Sequence, residues 1–128
     1  MSRGLSLERR VAEEGRKGVN LMTVEAFVKE TGCKILCMPC PDKEIDGVYI
    51  GDLLSWVMGK ADQGNVWITI MSNINTVAVA TLVDVSCILL AEDVVPDPDV
   101  LNTAESKGIN IISTSLSAYE AALMISKI

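Results

Sequence analysis

The chain contains no histidine, the side chain that most often serves as general base or metal ligand near neutral pH. Ser-His-Asp and Cys-His constellations are therefore excluded. Asp52 and Glu92-Asp93 are the acids that could converge as a carboxylate pair, but acids at strand ends ordinarily act as solvated caps, so no enzymatic activity is expected. Aromatic residues are scarce, at 4% of the chain against 49% hydrophobic residues in all, which leaves Val, Ile, Leu, Ala and Met to fill the core. That is the usual filling of a layered α/β domain. A basic face is also missing. With a net charge of −6 and no run of Lys and Arg beyond the amino terminus, the chain is not expected to bind nucleic acid. No apolar run reaches the roughly 18 residues that span a bilayer. The opening stretch, MSRGLSLERRVAEEGRKG, lacks the apolar centre of a signal peptide. A cytoplasmic protein is expected, with its four cysteines as reduced thiols or ligands rather than disulfides.

What the sequence does have is a regular alternation centred on residues 47–85. Val48-Tyr49-Ile50 is a short β-branched and aromatic run stopped by Gly51, and Asp52 stands where its side chain would cap a following helix. That helix, Leu53 to about Lys60, carries a wide apolar face. Val66 to Met71 is almost wholly apolar, as a strand covered on both sides should be. Ser72-Asn73-Ile74-Asn75 turns into a second helix from Thr76 to Asp84. The pattern is βαβα and predicts a parallel sheet.

Residues 1–21 are charged and glycine-containing, and read as a weakly ordered leader outside a domain of residues 22–128. Thr23 can cap a helix running to Glu30, which Thr31-Gly32 ends. Cys33 to Met38 reads as the first strand. After residue 85, Cys87 to Ala91 is a further covered strand, and Pro98 sits in the first turn of a helix that ends at Lys107-Gly108. Ile109 to Ile112 is the next strand and Ser117 to Lys127 the last helix. The expected architecture is a single three-layer α/β domain, a mostly parallel sheet of about five strands with helices on both faces.

Three features bear on chemistry. Cys33, Cys37 and Cys40 have the x3, x2 spacing of a three-thiolate iron–sulfur or zinc site. In a regular strand, however, Cys33 and Cys37 would share one face about 13 Å apart. The alternative reading makes Cys33 and Cys87 core residues, with Cys37 and Cys40 as free loop thiols. Trp56 and Trp67 lie in apolar segments and read as core rather than as a ligand platform. Asn73 and Asn75 stand at a strand-to-helix exit, where asparagine suits capping and binding equally.

The segment DGVYIGDLLSWVMGKA, continued by WITIMSNINTVAVATLVDVSCILLAED and INIISTSLSAYEAA, resembles the DRTGG domain, a small α/β module, over roughly residues 23–125. Lys43, Asp46 and Val48 stand where that family tends to have Arg, Thr and a second Gly, and Gly47 is retained. The resemblance extends to the amino-terminal part of HPr kinase/phosphorylase, a non-catalytic companion of a kinase domain. No G-x-x-x-x-G-K-[ST] phosphate loop occurs in this chain. It implies a regulatory or ligand-sensing module without cofactor, binding a small molecule or docking on a partner enzyme or signalling protein.

In a parallel sheet the helix N-termini collect at the carboxyl edge of the strands. Here that edge would gather Tyr49, Asp52, Ser72, Asn73, Asn75, Glu92, Thr114 and Ser115, a set of mostly neutral donors and acceptors suited to a small polar ligand or a single phosphate. The apolar surfaces of residues 116–128 and of the Trp56 helix exceed what one five-stranded sheet can cover, which predicts a homodimer.

Overall fold

The computed structural model describes residues 22–128; the charged leader expected at residues 1–21 lies outside the described residues. In chain order the elements are β1 (Met22–Thr23), α1 (Val24–Thr31), β2 (Lys34–Cys37), β3 (Glu44–Ile45), β4 (Val48–Ile50), α2 (Leu54–Lys60), β5 (Val66–Thr69), α3 (Ile74–Val83), β6 (Cys87–Leu90), α4 (Pro98–Lys107), β7 (Ile111–Ser113) and α5 (Ala118–Ser126). The main sheet has the order β2-β7-β6-β5-β4, with β4 to β7 parallel and β2 antiparallel to β7. The expected three-layer, mostly parallel α/β domain is thus what the chain forms.

The layers follow from the connections. Successive crossovers β4-α2-β5, β5-α3-β6 and β6-α4-β7 all step the same way across the sheet, and right-handed crossovers of that kind lay their helices on one face. Val57 of α2, Val77 and Ala80 of α3, and Val100 and Ala104 of α4 accordingly share one core with Trp67, Ile88, Leu90 and Ile111. The other face packs Val24 and Phe27 of α1 and Ala121 and Ile125 of α5 against Val66, Ile68, Cys87, Leu89 and Ile112. Residues along β5, β6 and β7 alternate strictly between the two cores, as pleating requires.

The helix ends carry the capping chemistry that the sequence offers. Thr23 accepts from the Ala26 amide at 3.1 Å, and Ser117 and Glu120 form a reciprocal capping box. Asn73 accepts from the amides of Asn75 and Thr76, so α3 begins at Ile74, two residues before the expected Thr76.

Four expectations are corrected. Asp52 does not cap α2, whose N-cap position is Leu53. Its Oδ1 instead accepts from Thr69 Oγ1 at 2.7 Å and from the Ile70 amide at 3.0 Å, pinning the β4 exit to the end of β5. Trp67 is fully buried, its indole N–H donating to Gly51 O at 2.9 Å, but Trp56 is 59% exposed and lies beneath Lys60 Nζ, 5.4 Å from its ring centre. Cys37 is not a loop thiol; it ends β2 and is buried. Cys33 and Cys37 do not share a face, because β2 advances two residues from Ile35 to Cys37 while β7 advances one, from Ile112 to Ile111. That bulge reverses the parity and sends Cys33 into one core and Cys37 into the other.

A small feature absent from the expected elements is the antiparallel pair β1·β3, which places Ile45 in the α1/α5 core. The retained Gly47 follows with φ 99°, a conformation strongly disfavoured for any side-chain-bearing residue, and so turns β3 into β4.

Candidate functional site

The two edges of the parallel sheet differ in kind. At the amino edge, the residue preceding each of three strands is a buried polar one: Asn65 before β5, Ser86 before β6 and Asn110 before β7. Asn110 accepts from the Cys40 amide at 2.9 Å and donates to Cys40 O and Ser86 O at 2.7 and 2.9 Å. Asn65 donates to Asp46 O and accepts from the Asp62 amide, and Ser86 Oγ donates to Glu44 O. Lys43 Nζ reaches Asp84 Oδ1 at 3.2 Å. These groups are consumed in holding loops together.

At the carboxyl edge the polar groups are more exposed and less committed. Seven of the eight residues expected there from the sequence are found at that edge: Asp52 after β4, Ser72, Asn73 and Asn75 after β5, Glu92 after β6, and Thr114 and Ser115 after β7. They do not converge on one point. The exits of β4 and β7 are three strand spacings apart, about 14 Å, so one small ligand meets only a subset. Tyr49 packs over Gly51 and joins the α2 core rather than facing the edge. Asn73 spends its side-chain oxygen on capping α3, and Asp52 spends one on the Ile70 amide at the end of β5. Thr114 Oγ1 accepts from the Leu116 amide at 3.2 Å, while Ser72 is half-buried and Asn75, Glu92 and Ser115 are exposed.

The edge is organised about β6 and β7. The chain leaves β6 toward α4 on one face and β7 toward α5 on the other, which makes this the switch point where ligands of open α/β sheets bind. Glu92 and Asp93 both adopt left-handed backbone, φ 58° and 57°, at a cost of about 1–2 kcal/mol each. The cost is met by cross-links between the two exits: the Glu92 amide donates to Leu116 O and the Asp93 amide to Thr114 O, both at 2.9 Å. Nothing in the run Ala91 to Val95 signals this strained pair. Beside it a small apolar dimple of about 10 Å³, room for little more than one water molecule, lies between α3 and α4, lined by Met71, Val77, Pro96 and Val100 with Ser72 and Thr76 as polar lining residues.

Lys34 is a further residue of this edge that sequence reasoning missed. Because β2 runs antiparallel, its first residue pairs with Ser113 at the end of β7, and the exposed Lys34 is brought beside Thr114 and Ser115.

The cysteine cluster is dispersed by the bulge in β2, and among the described residues no group of three or more His, Cys, Asp or Glu side chains is placed to hold a metal ion. Burial pushes the Cys33 and Cys87 thiols upward, and Cys37 is pushed up to about 11 by burial and by the Glu105 carboxyl beside it.

This arrangement of a strand-bounded α/β sheet with paired exits is that of a known module. The family model for the DRTGG domain matches residues 27–128, and the chain belongs to that family. A solved structure with the same fold is that of the CBS and DRTGG domains of the regulatory region of Clostridium perfringens pyrophosphatase, complexed with its activator diadenosine tetraphosphate. The two superimpose with a TM-score of 0.71 at 14% sequence identity over 90% of this chain and 50% of that one. The chain therefore spans about half the length of that structure. No curated protein matches the sequence. Among the described residues no helix is long and apolar enough to cross a membrane.

Proposed function

We propose that the chain is a non-catalytic regulatory module that senses a small phosphorylated metabolite, with a nucleotide as the favoured class, at the carboxyl edge around β5, β6 and β7. The observation that carries this reading is the strained, cross-linked strand-exit pair at the switch point, with exposed polar side chains on either side of it. The dimple is too small to admit a ring, but half-buried Met71, which lines it, offers apolar surface for one face of a ring. Ser72, Asn75, Thr114 and Ser115 supply neutral donors, and Lys34 supplies a cation for one phosphoryl group. Glu92, Asp93, Asp97 and Asp99 set an upper limit on the ligand's negative charge. The nucleotide activator of the structurally similar pyrophosphatase region supports the class, and family membership supports a regulatory role. An iron–sulfur or zinc protein built on Cys33, Cys37 and Cys40 is not supported, since the first two thiols face opposite cores.

The test is a thermal-shift screen of nucleotides and phosphorylated metabolites. A ligand that binds only the folded state raises the melting temperature in proportion to ln(1 + [L]/Kd). The expected result is a shift in the parent that is lost in the Asn73→Ala, Thr114→Ala double variant, each protein being compared with its own ligand-free melt. A screen in which no compound shifts the parent would remove the sensing role and leave a module that docks on a partner enzyme or signalling protein.

A homodimer is part of the same proposal. β4 is an edge strand, and Ile50, Leu53, Trp56 and Met58 stand exposed beside it. Two-fold pairing of such a face is the commonest way to cover it. Light scattering at micromolar concentration should give twice the chain mass, and Trp56→Lys should return it to the monomer. A parent mass equal to one chain contradicts the dimer.

A further inference from the structure

Cys37-Met38-Pro39-Cys40 is a C-x-x-C sequence that the regulatory reading leaves unused. Both thiols lie against α4 and the residues that follow it. Cys37 Sγ lies 3.5 Å from Ile109 O, 3.8 Å from Leu101 O and 3.5 Å from Glu105 Oε1. Cys40 Sγ lies 3.4 Å from where a Cβ on Gly108 would stand. Cys37 thus packs along the last two turns of α4 and the residue after its cap, and Cys40 against the cap itself, Gly108. Gly108 has φ 74°, a backbone conformation that a side-chain-bearing residue adopts only under strain. The turn that presents Cys40 is fixed, because both its amide and its carbonyl are bonded to the side chain of the buried Asn110. The two thiols differ in access: Cys37 is buried and Cys40 half-buried.

We propose that Cys37 and Cys40 form a reversible dithiol–disulfide pair that reacts with hydroperoxides, with Cys40 as the attacking thiol, Cys37 as the resolving thiol and Glu105 as the base for Cys37. In the first step the Cys40 thiolate attacks one peroxide oxygen, the O–O bond breaks, and the leaving oxygen departs as hydroxide or alkoxide and takes a proton from water. Cys40 is now a sulfenic acid. In the second step the Cys37 thiol gives its proton to the Glu105 carboxylate, its sulfur attacks the Cys40 sulfur, and the S–O bond breaks. The hydroxide released takes the proton back from Glu105 and leaves as water. Two thiols and one hydroperoxide become one disulfide, one water, and one alcohol or second water. The high proton affinity of buried Cys37 suits the resolving role, since it keeps that sulfur unreactive until its partner is oxidised.

The experiment treats the full chain with hydrogen peroxide, then alkylates, digests and weighs it. The expected result is loss of two of the four alkylatable thiols, with the segment between Lys34 and Lys43 lighter by two hydrogens and restored by reductant. Cys40→Ser should leave the remaining thiols unchanged, and Cys37→Ser should stop at a Cys40 sulfenic acid that dimedone traps. Glu105→Gln should slow disulfide closure by roughly a hundredfold, the usual worth of a positioned base, without slowing sulfenic acid formation. Retention of all four thiols, loss of Cys33 or Cys87 instead, or an intermolecular Cys40 disulfide would overturn the pair. Closure at the parent rate in Glu105→Gln would overturn the role of the carboxylate.

Discussion

The amino and carboxyl edges of the sheet are built from similar residues, Asn, Ser and Asp among glycines, yet spend them in opposite ways. Asn65, Ser86 and Asn110 are buried and each bridges chain segments distant in sequence. Asn73, Asn75 and Ser115 are exposed, and the polar contacts recorded for Asn73 and Asn75 stay within one turn. A buried amide with all its partners specifies a loop geometry, because leaving any of those partners unpaired costs the full desolvation penalty. An exposed amide commits to nothing. The difference teaches that residue type alone does not separate a structural edge from a binding one; burial and the span of the hydrogen bonds do.

Substitution can break that comparison. The largest effect is expected from Asn110→Ala, which strips partners from the Cys40 amide, Cys40 O and Ser86 O together, and should lower stability by about 3–5 kcal/mol in urea unfolding. Asn65→Ala orphans Asp46 O and the Asp62 amide, which lie nearer solvent, and should cost about 2 kcal/mol. Asn73→Ala removes one N-cap from α3 and should cost about 1 kcal/mol. Lys34→Ala with Ser115→Ala should change stability by less than about 0.5 kcal/mol, as exposed positions do, while weakening any phosphoryl ligand. An Asn73 variant as damaging as the Asn110 variant would erase the distinction between the edges.

Much of the architecture was legible because the strands that make it are continuous apolar runs. Val66 to Thr69 and Cys87 to Leu90 are buried throughout, and the stop signals around them, Gly64, Asn73 and Pro98, act locally. The cap at Thr23 was legible for the same reason, and the one at Asn73 as one of two readings. What stayed hidden depends on contacts distant in sequence. An apolar strand reads the same in either direction, so the antiparallel run of β2, and with it the place of Lys34, could not be seen. The bulge at Ile35–Cys37 leaves no mark in the residues, yet it decides which core each cysteine enters. Trp56 lies on an apolar stripe, but periodicity shows a face without showing whether another element covers it. Asn65 and Asn110 resemble ordinary turn residues, and only the packed loops reveal them as buried.

The central claim is that ligand binding belongs to the carboxyl edge, and the most direct measurement is a two-dimensional amide NMR titration with the nucleotide that raises the melting temperature most. The account predicts saturable shifts confined to residues 70–76, 91–97 and 113–117 and to Lys34, with residues 62–66, 84–86 and 108–110 unmoved. Saturable shifts centred on the amino-edge residues instead, with the strand exits silent, would contradict it.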